Sequence, residues 1–239
     1  MHMVDFITEG PLHVLKIGSL ELAVTKPMLV STGVMIVLSL LFIYLGHRMS
    51  VLPTERRQIL SETIYGAVYG LVRENMGEGY FQFVPFIGAL ISYLMGQNFV
   101  GLFGFKPATS SFSTTLGLGL ISFTIIHGHA IRSAGVKGYL KSYIKPMPLL
   151  LPITLLERLI FPISLALRLF GNILAATVIM SLIYGALLEI QTAIGLVIPI
   201  PFHMYFDIFD GAIQAVIFTF LTMIQIKLIA EESSEEHEH

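Results

Sequence analysis

The side chains able to do chemistry in this sequence are few, and they sit in stretches too apolar for water. Arg168 stands inside the run from Leu149 to Leu188, which is otherwise broken only by Glu157, Arg158 and a few small polar residues. A charge at membrane depth costs about 2.5–3.5 kcal/mol on insertion scales, so a chain that keeps one gives it a partner or a water-filled cavity. Arg168 is then either a structural arginine paired inside a helix bundle or a residue of an ion pathway. Gly171 and Asn172 follow at i+3 and i+4, with Ala175 and Ala176 one turn further. On a helix these share the face of Arg168. That face is small and slightly polar around one positive charge, and it suits close approach of another helix.

The last apolar run supplies Asp207, Asp210 and Gln214 at i, i+3 and i+7. The spacing predicts one stripe along a helix. Antiparallel to the Arg168 helix, it would set Gln214 near mid-membrane, facing Arg168 and Asn172, with Asp207 nearer the outside. In the structural alternative the two aspartates belong to an interfacial turn near Pro201 and meet water. Glu157 is a channel-mouth residue or a solvated one, and Arg158 is expected to snorkel to the surface. His127 and His129 are two apart, so they cannot share a metal as an i, i+4 pair on one face would. The terminal Glu-Glu-His-Glu-His reads as a solvated tail.

Covalent catalysis is not expected. Gly117-Leu-Gly-Leu lacks the Lys-Ser/Thr of a phosphate loop, and no zinc-ligand spacing or nucleophile-base arrangement is present. Neither a cofactor nor a bound metal is implied. The absence of cysteine removes disulfides and thiolate chemistry. A net charge of -2 without a basic stripe gives nucleic acid no footprint.

These side chains need helices to hold them at depth. Of the 239 residues 54% are hydrophobic and 13% charged, and the mean hydropathy is +0.79. A soluble domain carries about 25% charged residues, so the chain is expected to be an all-α polytopic membrane protein. Five spans are expected, over about 27–46, 81–103, 114–131, 149–188 and 201–230. The last is longer than the roughly 20 residues of a perpendicular crossing and is expected to tilt. Residues 53–77 mix Arg56, Arg57, Glu62, Arg73 and Glu74 with apolar positions at helical spacing. They predict an amphipathic helix on the membrane surface or docked on the bundle. Residues 1–26 are mixed and expected at the surface, 132–148 form a basic connector, and 191–201 form a turn. The whole of 1–230 is read as one membrane domain, and 231–239 as a disordered acidic tail.

Basic residues set the orientation. Arg48, Arg56, Arg57 and Arg73 lie between spans one and two, and Arg132, Lys137, Lys141 and Lys145 between three and four. The opposite loops hold Lys106 alone. The N-terminus is therefore expected outside and the C-terminus in the cytoplasm. Residues 1–26 show neither a signal-peptide nor a transit-peptide pattern, so the expected location is a bacterial plasma membrane.

The stretch Ile163-Ser-Leu-Ala-Leu-Arg168-Leu-Phe-Gly-Asn172-Ile-Leu-Ala175 resembles the signature of subunit a of F-type ATP synthases, and Ile213-Gln214-Ala-Val-Ile-Phe-Thr-Phe-Leu221 resembles that family's second signature. Gln97-Asn-Phe-Val-Gly-Leu102 and Thr114-Thr-Leu116 match more weakly. The resemblance covers most of the chain from about Phe81 and the layout of the first helix. It implies a stator for ion-driven rotation that does no ATP chemistry itself. Two offset half-channels would load and unload H⁺, or Na⁺, on the carboxylates of a c-subunit ring, within a complex that includes the b-subunit peripheral stalk. By the resemblance Arg168 is the arginine that meets the emptied carboxylate, with Gly171 and Ala175 letting the ring slide close. Gln214 and Asn172 match its polar companions. Asp207 falls in the outer half-channel and Glu157 at the cytoplasmic side, and Asp210 is carried as a further ion-pathway candidate. Thr177 stands where many members carry a carboxylate or histidine, so Asp207 is expected to bear the outer role alone. Ser111 and Ser113 replace an Asp and an Asn that are common in the family. A stand-alone secondary transporter, a non-conducting membrane anchor and a membrane metalloenzyme using His127 and His129 are the rival readings; the lack of an internal repeat argues against the transporter, and two histidines are too few ligands for the metalloenzyme.

Overall fold

The computed structural model describes residues 13–17, 20–47, 56–103, 105–144, 147–190 and 198–234. A two-stranded ribbon comes first: β1 (His13–Ile17) pairs antiparallel with β2 (Leu20–Val24), Ile17 opposite Leu20. The segment expected only to be mixed thus carries a short ribbon. The described elements after it are helices: α1 (Lys26–Gly46), α2 (Arg56–Met76), α3 (Val84–Leu102), α4 (Phe112–Ser142), α5 (Leu151–Ile190), α6 (Pro199–His203) and α7 (Gly211–Ser234). A 3₁₀ turn over Glu78–Phe83 leads into α3, and a π-helical segment, Met204–Asp210, joins α6 to α7 without a break. Among the described residues five helices or joined helices are long and apolar enough to cross a membrane.

Chain chemistry explains the helix starts. Thr25 is extended and Pro27 sits in the first turn of α1, where a missing N–H costs nothing. Pro85 plays the same part in α3. The α2 helix is docked rather than loose. Val72 and Met76 are buried with Phe83, Val84 and Ile87, with Ile126 and Ala130 of α4, and with Met223, Ile226 and Ile229 of α7. A second cluster joins Leu90 and Leu94 of α3, Leu165 and Leu169 of α5, and Ala215 and Phe218 of α7. The α3 and α7 helices contribute to both clusters and so run through the middle of the bundle. Among the described side chains α1 buries only Leu45 and leaves a long apolar surface open. In lipid that surface carries no hydrophobic penalty, and helices associate through packing and hydrogen bonds instead.

At Gly119 the α4 and α5 backbones touch. A Cβ there would lie 2.5 Å from the carbonyl oxygen of Pro162, so only glycine permits this approach. Pro162 is interior to α5 and has no N–H, which leaves the carbonyl of Arg158 without its helical donor.

Three sequence expectations change. The third span does not end at residue 131. The α4 helix runs on to Ser142 through the basic segment, and only Gly135, at φ 71°, departs from helical geometry. Helix-compatible residues on both sides of one glycine let a break stand in for a loop. The tail is helical through Ser234 rather than disordered from Glu231, because Ser233 is buried and Glu232 has an ionic partner. Residues 235–239 lie outside the described residues, as does most of the expected 191–201 turn; its last residues already belong to α6. Arg158 does not snorkel, for the reason given next.

Candidate ion-translocation site

Arg168 sits near the middle of the 40-residue α5. The turns around it bury Leu165 and Leu169 against α3 and α7 and bury Ala166 as well, whereas Ser164, Leu167, Arg168 and Ala175 are exposed and Gly171 and Asn172 half-buried. The positive charge is therefore turned away from the chain's own bundle. Among the described residues it makes no hydrogen bond or ion pair, and none links it to Asn172, Gln214 or Asp207. The small residues Gly171 and Ala175 lie on the same open side. Gln214 is half-buried on α7 beside buried Ala215. The Thr177 hydroxyl donates to the carbonyl of Ile173 at 2.8 Å, an internal bond that uses up its hydrogen.

Asp207 lies in the π-helical segment, where the wider i to i+5 turn interrupts the 3.6-residue period. Asp207, Asp210 and Gln214 are each half-buried, and the regular spacing behind the predicted stripe begins only at Gly211. Asp207 has partners that the spacing did not suggest. His203 Nδ1 is 3.4 Å from Asp207 Oδ2, and His203 Nε2 is 3.1 Å from the Tyr184 hydroxyl of α5. The Asp207 carboxylate also packs on Gly101 of α3, whose missing side chain leaves it room: a Cβ would come 3.3 Å from Asp207 Cγ. One turn earlier on α3, Asn98 donates to the Gly211 carbonyl at 2.7 Å, just where the π segment ends. Asp210 is half-buried.

Gln97 is fully buried, and its Oε1 accepts from the Ala108 backbone N–H at 2.9 Å. This bond ties α3 to the loop before α4. There the hydroxyls of Ser111 and Ser113 are 3.0 Å apart, a neutral pair at the positions where the resemblance would have an acid and an amide.

Toward the other end of α5, Glu157 is exposed while its neighbour Arg158 is 5% exposed at the side chain. Adjacent helical residues point about 100° apart, which separates the two fates. The Arg158 Nη2 donates to Glu232 of α7 at 2.9 Å and to Ser142 Oγ of α4 at 3.1 Å. Its guanidinium lies 4.1 Å from the centroid of the Tyr143 ring and 5.7 Å from that of Tyr139. These partners, not water, neutralise the charge, and they arise because α4 and α7 both outrun their expected ends.

His127 is buried and bonded through Nδ1 to the Tyr139 hydroxyl at 2.9 Å, while His129 packs edge-on against Phe83 and Tyr80. Each ring has its own aromatic setting. Among the described residues no three His, Asp or Glu side chains group as metal ligands.

Sequence reasoning missed His203, Tyr184 and the partners of Arg158. His203 stood four residues before Asp207, a spacing that brings two side chains together on one helical face, so that signal was present. Tyr184 and Glu232 reach the site only through tertiary packing.

The chain is similar to known proteins over most of its length. The family model described as ATP synthase A chain matches residues 28–227. The chain is 33% identical over 210 residues to the protein named "ATP synthase subunit a, sodium ion specific" of Propionigenium modestum, covering 81% of this chain and 70% of that one. It is 33% identical over 205 residues to ATP synthase subunit a 2 of Bradyrhizobium sp., covering 85% and 88% of the two chains. Against ATP synthase subunit a of Legionella pneumophila subsp. pneumophila the identity is 33% over 206 residues and 86% of each. With most of its length matched and Arg168 and Gln214 inside the matched range, the chain belongs to the ATP synthase A chain family, a non-catalytic component of the membrane sector of F-type ATP synthases.

Proposed function

We propose that the chain is the ion-conducting stator of its complex. Two offset half-channels bring ions to and from the carboxylates of a c-subunit ring packed on the open face of α5, and the b-subunit peripheral stalk holds the chain against that ring. Residues 1–230 act as one membrane domain in a bacterial plasma membrane, with the N-terminus outside and the C-terminus cytoplasmic. The translocated ion is H⁺ or Na⁺; the sodium-specific name of one relative supports keeping both.

One observation carries this reading: Arg168 is a membrane-depth cation on a small-residue face, exposed and without a partner among the described residues. An uncompensated charge at that depth is costly, so its anion comes from another chain. An ion pair in low dielectric is strong, and it must break at each step of rotation, so the arriving ion competes with Arg168 for the ring carboxylate. Asn172 and Gln214 supply polar neighbours, Asp207 the outer half-channel, Glu157 the cytoplasmic mouth, and Asp210 and Thr177 the polar lining toward the outer side. Gly171 and Ala175 let the ring pass closely.

The test is ATP-driven ion pumping by the purified complex in liposomes, wild type against Arg168→Ala. Abolished pumping with intact assembly supports the stator role. Pumping near the wild-type rate would show that the arginine is structural and sink the reading.

A further inference from the structure

We propose that His203 is a proton carrier, with Tyr184, His203 and Asp207 forming a relay that makes the outer entry a path for protons and not for sodium. The inference rests on the reading above, in which this end of α7 faces outside and Asp207 lies in the outer route. It adds two residues and an ion class to that route.

The geometry orders the relay. Tyr184 OH is 3.1 Å from His203 Nε2, and His203 Nδ1 is 3.4 Å from Asp207 Oδ2, so the imidazole stands between a hydroxyl and a carboxylate with one nitrogen toward each. The His203 side chain is 44% exposed and that of Asp207 26%, so accessibility falls from the ring to the carboxylate. The 3.4 Å contact is long for a hydrogen bond, and it is an ion pair only while the ring carries a proton. Two helices contribute. Tyr184 comes from α5, the helix that carries Arg168; His203 lies just before the π-helical segment and Asp207 within it, so its wide turn sets their register. Gly101 clears the space in which the carboxylate sits.

The step balances. The ring starts neutral, with its hydrogen on Nδ1. A proton from the outer water reaches Nε2 through the Tyr184 hydroxyl, which gives one hydrogen and takes another. The Nδ1 hydrogen then passes to Asp207 Oδ2, so the ring ends neutral with hydrogen on Nε2 and the carboxylate ends protonated. Exchange with the outer water at the exposed ring, which loses the Nε2 hydrogen and takes one on Nδ1, restores the starting tautomer with no net change in protons. Sodium cannot follow this route, because a hard cation is held by oxygen ligands and the middle station here is a nitrogen that passes hydrogen. The neutral Thr177 and the Ser111–Ser113 pair are hydroxyl groups, and they do not titrate near neutral pH.

The experiment uses the complete complex in liposomes and follows proton uptake from the outer-facing side under a potassium diffusion potential. Four proteins are compared: wild type, His203→Ala, His203→Gln and Arg168→Ala, each with and without imidazole. His203→Ala is expected to slow uptake roughly tenfold or more, at the low end of what a positioned proton-transfer group contributes. Imidazole should restore much of the rate in the alanine variant and leave wild type unchanged. His203→Gln fills the space and bonds Asp207 but carries no proton, so it should be slow as well. Wild-type uptake in His203→Ala would overturn the relay. So would a slow alanine variant whose glutamine counterpart is fast, or slow variants that imidazole does not restore; in either case His203 merely holds Asp207 in place. Arg168→Ala separates the two ideas: ATP-driven pumping that survives it defeats the stator reading itself, whereas lost pumping there with normal uptake in the His203 variants defeats only the relay.

Discussion

Arg158 and Glu232, 74 positions apart in the chain, meet at 2.9 Å and lock the ends of α5 and α7 to each other and to Ser142 of α4. Arg168 lies ten residues further along the same helix, about 15 Å at 1.5 Å per residue. The clamp thus fixes the depth and rotation of the helix that presents the open charge.

Glu232→Ala should leave the buried guanidinium with a hydroxyl and two aromatic rings. The expected loss is about 1–3 kcal/mol, between exposed and buried ion pairs, since Glu232 itself is half exposed. The melting temperature of the purified complex should fall, and Arg158→Lys should fall with it because an ammonium does not reproduce the planar stacking on Tyr143. Unchanged melting in both would mean the pair is energetically idle.

Substitution of Gly119 tests the contact between α4 and α5. Even alanine places its Cβ 2.5 Å from the Pro162 carbonyl oxygen, so the helices must separate. A cost of about 1–3 kcal/mol is expected from overpacking, and more for valine. Yield of assembled complex from Gly119→Ala and Gly119→Val membranes is the readout; wild-type yield for valine would show that the backbones are not held this close.

Asp207→Asn removes the titratable oxygen while keeping size. In the proposed route it should lower ion flux through the membrane sector roughly a hundredfold, the scale of a positioned proton-transfer group. The check is passive ion uptake in liposomes, and undiminished flux would take Asp207 out of the pathway.

Gln97→Leu keeps apolar volume but strips the acceptor from the buried Ala108 N–H. Leaving that donor unsatisfied should cost about 1–3 kcal/mol, seen as a lower melting temperature. No shift would mean another acceptor takes over.

The five apolar crossings and the surface helix were legible because their signal is composition over 20 or so residues, which tertiary context does not reverse. Arg168 was legible for a related reason: one charge in an apolar run declares itself. The end of α4 was not, since a basic segment reads as a loop and a single glycine hides a helix break. Nor was the fate of Arg158, which depends on Glu232 and Tyr143 arriving from α7 and from the turn that ends α4. The π-helical turn that carries Asp207 and Asp210 was not legible either, for a local reason. A 3.6-residue ruler was laid across Met204–Asp210, where the backbone takes a different period.

That change of period makes the segment tolerant of a deletion that ordinary helix would not absorb. A π turn holds about one residue more than an α turn, so removing one residue from Met204–Asp210 would let the backbone relax into continuous α-helix with His203 and Gln214 both close to their present directions. The same deletion in the regular part of α7 would turn one side of the helix against the other by about 100°, the angle of one α-helical step. These seven residues are slack held in the chain, and what a shorter segment displaces is the carboxylate carried within it rather than the helices on either side.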